Sequence, residues 1–380
     1  MKVLILGAAG KAGRAALAAI RNLPGVELVF LADRDAEGLA KMATFHAPFP
    51  VRLRYLEARH PRDLRERLRE ADLVLGCVGP FHLHEGEILR AVVETGRDYL
   101  TLCDDAGVTE EALSHRERAA AGGSRVLMGC GMAPGLSNLL ALRAASRLDR
   151  VERLGFFWRL EALTSLGSGT LHHLAHSLAG KAKIAKGGGE GKVRAGGWPE
   201  MVDFPPPAGP AVLSFLRRPE PLTLPRAVKG AKEVFFKAGM GGRAEDFLLH
   251  ALSRLGEEGY AEVLLDLLRL TGGRARGEAR EGNCPTCLRV TAEGIRGGRP
   301  FRVHLAAAGD YYRVTGMMVA AAVAWLRDLD PPPGVYYPEE GPDPLRALPF
   351  LRVSGARFFM AEEPLARGRR VGMEGDGRSG

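Results

Sequence analysis

The stretch Gly7-Ala8-Ala9-Gly10-Lys11-Ala12-Gly13 follows directly on the apolar run Val3-Leu4-Ile5-Leu6. An uninterrupted apolar run suits a strand covered on both faces. Ala12, Ala15, Ala16, Ala19, Ile20 and Leu23 then recur at helical spacing until Pro24-Gly25 ends the pattern. Three side chains are thus given up where a helix begins, and a helix opening presents unpaired N–H groups and a partial positive charge. Gly7 permits a tight turn, Gly10 the close approach of a diphosphate, and Gly13 close packing of helix on strand. Ala9, Lys11 and Ala12 complete that cradle. Asp33 ends the second predicted strand, where a carboxylate hydrogen-bonds a ribose hydroxyl and repels a 2′-phosphate. The expected cofactor is therefore NAD. Arg34, beside it, is able to pair with such a phosphate and keeps NADP open.

Strand-like runs at 3–6, 27–32, 53–55, 71–78, 99–103 and 125–130 alternate with helical patterns at 63–70, 85–95, 110–121 and 134–148. That alternation predicts a parallel sheet, so residues 1–150 read as a dinucleotide-binding domain of α/β class, a Rossmann-type doubly wound sheet. Beyond 151 the pattern changes to a mixed α/β second domain over 151–310. It has strands at 156–160, 287–292 and 301–306 and helices at 170–178, 245–255 and 260–270. Residues 181–197, rich in Gly and Lys, read as a mobile loop. The apolar, Ala-rich helix at 316–326 needs burial on most of its surface. Residues 311–362 are therefore expected to return to the first domain, and 363–380 to form a disordered tail.

Composition narrows the function classes. The formal charge of +8 is scattered, without aromatic residues among the basic runs, which argues against nucleic acid. No run of eighteen apolar residues suggests a membrane span, and the start lacks the order of a signal peptide, so a cytoplasmic location is expected. Asn occurs only at Asn22, Asn138 and Asn283, and Gln is absent, a poverty in amides typical of thermophiles. Five cysteines are too few for a disulfide scaffold, and Cys284-Pro285-Thr286-Cys287 lacks the further ligands a zinc site requires. His172 and His176 stand one helical turn apart without a third ligand, so no metal is expected. With His173 they read as a helix face lining an interdomain cleft.

Ligands of open α/β sheets bind beyond the carboxyl ends of the strands. Here those ends read Cys77-Val78-Gly79-Pro80-Phe81-His82, Cys103-Asp104-Asp105, and Gly131-Met132-Ala133-Pro134-Gly135 through Asn138. In that order, GAAGKAG, CVGPFHLHEGE, DYLTLCDD, GCGMAPGLSN and EPLTLPR (220–226) resemble the saccharopine dehydrogenase-like family, most clearly over residues 1 to about 145. The Ala133-Pro134-Gly135 form is similar to that of the lysine 6-dehydrogenases. The resemblance implies a Rossmann domain, an inserted substrate-binding and dimerisation domain, a homodimer, and NAD(P)-dependent oxidation of a C–N bond in an amino acid or its imine adduct.

Cys77, Val78, Gly79, Pro80 and Cys103 are then expected along the cofactor, with Phe81, Met132 and Ala133 on the substrate. Asp104 and Asp105 are candidates to hold a substrate ammonium or act as base, and His82 to shuttle a proton. Asn138 is a candidate to fix a carboxylate, and Arg226 and Lys237 to pair with it. Two other readings keep the glycine turn: a cofactor-binding regulator without turnover, and a reductase of a carbonyl or enoyl substrate.

Overall fold

The computed structural model describes residues 1–160, 166–242, 286–341 and 344–365. The first part runs β1 (Lys2–Leu6), α1 (Lys11–Ile20), β2 (Leu28–Asp33), α2 (Ala36–Met42), β3 (Val51–Tyr55), α3 (Pro61–Arg69), β4 (Leu73–Gly76) and α4 (Phe81–Thr95). It continues through β5 (Asp98–Thr101), α5 (Ala106–Ser114), α6 (Arg116–Gly122), β6 (Arg125–Leu127) and α7 (Leu136–Ala145). The second part holds β7 (Arg150–Arg159), α8 (Ser168–Leu178), β8 (Lys181–Lys186), β9 (Gly189–Arg194), β10 (Glu200–Val202), β11 (Ala211–Phe215), α9 (Glu220–Ala227) and β12 (Glu233–Gly239). After it come β13 (Thr286–Arg296), β14 (Arg299–Gly309), α10 (Tyr311–Leu329), β15 (Gly334–Tyr336), α11 (Pro344–Val353) and β16 (Arg357–Pro364).

Seven strands in the order β15-β6-β5-β4-β1-β2-β3 form one parallel sheet. The order reverses between β1 and β4, the switch point at which such sheets open a crevice. Both faces are covered. Val3 and Ile5 pack with Leu17 and Ile20 of α1 and Val319 and Val323 of α10, whereas Leu4 and Leu6 pack with Leu64, Ile88 and Val92 of α3 and α4. The expected Rossmann-type sheet with a second mixed domain is therefore the architecture observed.

The second sheet runs β10-β11-β12-β7-β13-β14-β16, with β8 paired to β12 and β9. One face packs on α7, α8, α9 and α10; the other covers a smaller cluster around Phe157, Phe215 and Phe235. The apolar helix does return to the first domain: a Cβ on Gly316 would lie 2.5 Å from the carbonyl oxygen of Ala15, so α10 lies backbone to backbone on α1.

Three expectations change. Residues 181–194 are a hairpin, not a loop. Ala182 and Ile184 are buried on alternate positions while Gly187 and Gly188 turn the chain at φ +63° and +86°, the conformation a two-residue hairpin turn needs. Helix α4 begins at Phe81 rather than 85, which puts His82 in its first turn. Among the described residues of the C-terminal extension, β15 alone joins the first sheet. β16 pairs with β14 and includes Glu363 and Pro364, so these two residues of the expected tail are strand. The predicted helices at 245–255 and 260–270, Cys284 and residues 366–380 lie outside the described residues.

Replacing Gly316 by Val drives a branched Cβ into the Ala15 backbone. Overpacking of this kind lowers the unfolding free energy by about 1–3 kcal/mol. A urea titration is expected to show a lower midpoint with an unchanged slope.

Candidate active site

The glycine turn behaves as its residue types require. A Cβ on Gly7, whose φ is +74°, would meet the Cys77 carbonyl at 2.6 Å, and one on Gly13 would meet the Gly7 carbonyl at 2.3 Å. Those two glycines allow close packing. Gly10 is different: it N-caps α1 without a side-chain hydrogen bond, and a Cβ there would meet only the Gly7 carbonyl, at 3.3 Å. It leaves the helix opening bare on the cleft side, which suits a diphosphate. Asp33 accepts from the Ala9 N–H at 2.9 Å and the Asp35 N–H at 3.0 Å.

From this turn a cleft of about 380 Å³ runs between the two sheets. Gly7, Ala9, Gly10, Lys11, Ala12, Asp33, Cys77, Val78, Gly79, Phe81, Asp104, Met132 and Ala133 of the expected site line it. The second domain adds Gly167 to Thr170 and His173, and α10 adds Tyr311, Tyr312 and Thr315. The walls meet where a Cβ on Gly169 would stand 3.2 Å from the Gly79 backbone.

Asp104, just past β5, is the junction of both domains. Its carboxylate pairs with the Arg218 guanidinium and stands 2.9 Å from His173 Nε2. Burial pushes its pKa up, but Arg218 and then His173 outweigh burial and hold it below the ordinary range. Arg218 is 2% exposed. It also donates to the Ala133 carbonyl and lies over the rings of Trp158 and Phe236, 5.1 and 5.3 Å from their centroids. Glu220, fully buried, stands 3.9 Å from Arg218 and accepts from Ser137 at 2.8 Å. Its pKa is raised because burial exceeds the help from Arg218.

Several expected residues stand elsewhere. Asp105 caps α5, accepting from the Val108 N–H, and pairs with His176 at 3.3 Å. His82 stacks on His176, rings 3.9 Å apart and 6° from parallel, and does not line the cleft. Burial and the neighbouring His176 and His173 push its pKa down to about 4, which leaves it uncharged at neutral pH. Pro80 caps α4, and Cys103 is buried in the core beneath the sheet end. Asn138 caps its own helix, accepting from Gly135, and donates to Glu339 at 2.6 Å. Arg34 is outside the main cleft, in an adjoining recess 3.7 Å from Glu57.

The two cations assigned to a substrate carboxylate are corrected. Arg226 is exposed at the end of α9, away from the cleft. Lys237 shares a face of β12 with Phe235, opposite to Phe236 and the cleft, and pairs there with Glu200 at 2.6 Å. The sequence reading missed Arg218, Glu220, Tyr312 and Thr315 as site residues; nothing local separates Arg218 from Arg217.

Fold and cleft together define a two-domain protein with a Rossmann-type parallel sheet and a second mixed sheet. Residues 3–127 match the family model described as saccharopine dehydrogenase NADP binding domain. A probable mitochondrial saccharopine dehydrogenase-like oxidoreductase of Arabidopsis thaliana is 28% identical over 141 residues, 34% of this chain and 31% of that protein. A trans-acting enoyl reductase of Mycobacterium leprae is 26% identical over 134 residues, 34% of this chain and 32% of that protein. The match thus spans about a third of each of these two relatives. The structure of saccharopine dehydrogenase (L-Glu forming) from Saccharomyces cerevisiae superposes with a TM-score of 0.67 at 14% identity, covering 96% of this chain and 100% of that one, which shows the shared fold. The resemblance to the saccharopine dehydrogenase-like family is therefore borne out. Among the described residues no helix is long and apolar enough to cross a membrane, and no cluster of His, Cys, Asp or Glu is arranged for a metal.

Arg218→Met strands the buried Asp104 charge. Losing one partner of such a pair is expected to cost about 3–5 kcal/mol in a denaturant titration, with much of it restored in Arg218→Met/Asp104→Asn. Burial also raises Asp105, but its bond to His176 and the nearby His173 outweigh that and lower its pKa. A lowered carboxyl stabilises above the unfolded-state value near 4, and the gain is lost as pH falls through the folded-state value. Asp105→Asn is expected to flatten the loss of stability below about pH 4.

Proposed function

We propose that this chain is an NAD-dependent oxidoreductase acting on a C–N bond of an amino acid, or in the reverse direction on the imine formed from an amine and an oxo acid. One observation carries the reading. A single cleft joins an uncapped glycine turn and a ribose-reading carboxylate at one end to an acid–histidine pair from two domains at the other.

Gly10, Lys11 and Ala12 would hold the diphosphate and Asp33 the adenine ribose. When bound, the nicotinamide supplies hydride acceptance and donation. The chain's own residues manage the rest. Asp104, kept charged by Arg218, stands 2.9 Å from His173 Nε2, which hydrogen-bonds Ser177 Oγ at 3.2 Å, and among the described residues the Nδ1 of the same ring has no partner. His173 thus replaces His82 as the group that takes a proton from the substrate nitrogen or returns it. Asp33 and Asp35 both line the ribose end while Arg34 turns to Glu57, which supports NAD over NADP although the matched domain is described as NADP binding.

A second reading, reduction of a carbonyl or enoyl double bond, draws on the similarity to the mycobacterial enoyl reductase. Absorbance at 340 nm with NAD⁺ or NADP⁺ and lysine, saccharopine and related amines separates the two. Amine-dependent reduction of NAD⁺ is expected. Turnover confined to carbonyl or enoyl substrates favours the second reading, and no turnover with any of them sinks both. Asp33→Ala is expected to weaken NAD⁺ binding roughly tenfold, one lost charge-assisted hydrogen bond, with NADP⁺ affected less.

A further inference from the structure

With Arg226 and Lys237 away from the cleft, the second domain contributes no Lys or Arg side chain to its described lining. Among the described lining residues the basic side chains are Lys11 and Arg14, both on α1, while Asp33, Asp35 and Asp104 contribute negative charge. The second domain offers a helix opening instead. Helix α8 starts at Gly167-Ser168-Gly169-Thr170, all four lining the cleft, and its N-cap makes no side-chain hydrogen bond. The Gly167 N–H is taken by Tyr312 Oη at 2.8 Å. The N–H groups of the next three residues are the ones an α-helix leaves without internal acceptors.

Two independent groups point to a ligand here. Thr315 is 3% exposed, lines the same cleft, and its Oγ1 has no hydrogen-bond partner among the described residues. His173 is 4% exposed, and its Nδ1 is likewise without a partner among the described residues, whereas Nε2 bonds Ser177 Oγ and lies 2.9 Å from Asp104. Buried polar atoms are rarely left unsatisfied unless something else meets them. His173 stands one turn after Gly169 on α8, with Nε2 turned to Asp104 and Ser177. Its unpartnered nitrogen and the helix-opening amides border the same cleft.

We propose that the opening of α8 is an oxyanion site, in which the N–H groups of Ser168, Gly169 and Thr170 receive an anionic group bound in the cleft. The group is either the carboxylate of the substrate or a phosphate of the dinucleotide; helix amides and dipole recognise both alike. If it is the carboxylate, the assignment rests on the amino-acid reading above. It then places the carboxylate one turn from the nitrogen-facing His173, so that one helix holds both polar ends of an α-amino acid.

Ser168→Pro tests this directly. Gly167 has φ −75° and ψ 155°, a conformation that tolerates a following proline, and proline suits the first helical position, where it deletes one N–H. Ser168→Ala keeps the N–H and serves as control. Backbone amide NMR of the full chain is followed through additions of NAD⁺ and then glutarate, with inorganic phosphate as a separate probe. If glutarate shifts the 168–170 amides with NAD⁺ already bound, the anion is a substrate carboxylate. If NAD⁺ or phosphate alone shifts them and glutarate adds nothing, it is a cofactor phosphate. In either case Ser168→Pro is expected to weaken that anion roughly five- to tenfold, the worth of one hydrogen bond, and Ser168→Ala to leave it unchanged. The site is overturned if none of the probes moves these amides or if Ser168→Pro binds like the parent. Shifts at Gly10 to Gly13 with NAD⁺ report separately on the dinucleotide reading, so its failure is told apart from failure at α8.

Discussion

The ion pair between Asp104 and Arg218 sets the geometry on which the site depends. One partner closes β5 in the first sheet; the other comes from the second domain, between β11 and α9. A buried guanidinium with a carboxylate, a backbone carbonyl and two aromatic faces around it has little freedom to move. The planar fork of arginine suits such multidentate holding in a way that lysine does not. Because Asp104 also lies 2.9 Å from His173, whose Nε2 is bonded by Ser177, the pair fixes the distance between the sheets and sets the charge beside the histidine. Buried ion pairs add little net stability against an apolar replacement, and their better-attested use is to specify one arrangement. Here that arrangement is the cleft.

Close backbone contacts do the complementary work. Gly7 and Gly13 bring α1 onto β1, Gly316 brings α10 onto α1, and Gly79 meets Gly169 across the cleft. Behind them, Glu220 to Ser137 and Asn138 to Glu339 tie α7 to α9 and to the turn before α11. In that turn burial pushes the Glu339 pKa up to about 7. Asn138, expected to fix a substrate carboxylate, instead holds the wall of the cleft.

What the sequence made legible was local. The glycine turn, Asp33 and the apolar strand ends are short apolar runs and 3.6-residue periods with breakers at fixed offsets, and Gly7, Gly10, Asp33, Cys77 to Gly79 and Asp104 among them line the cleft. What it hid depended on partners far along the chain. Arg218 differs from Arg217 only because Asp104, more than a hundred residues earlier, lies opposite it. Lys237 was misassigned through strand parity: alternation from Phe236 already puts it on the far face. The hairpin at 181–194 was obscured by composition, since Gly and Lys suggested solvent while Ala182 and Ile184 supplied a buried stripe. His82 was taken for a loop residue because the helix was started four residues late.

The route of the chain has its own consequence. It leaves the first sheet after α7, builds most of the second, returns through α10 and β15, and departs again to lay down β16. Each sheet thus contains a strand contributed after the other is largely complete. Neither body corresponds to one contiguous segment, and severing the polypeptide between them would deprive the nucleotide-binding half of an outer strand and a covering helix. The two halves are laced together by connectivity itself, so the aperture between them is inherited from the topology and then trimmed by side chains.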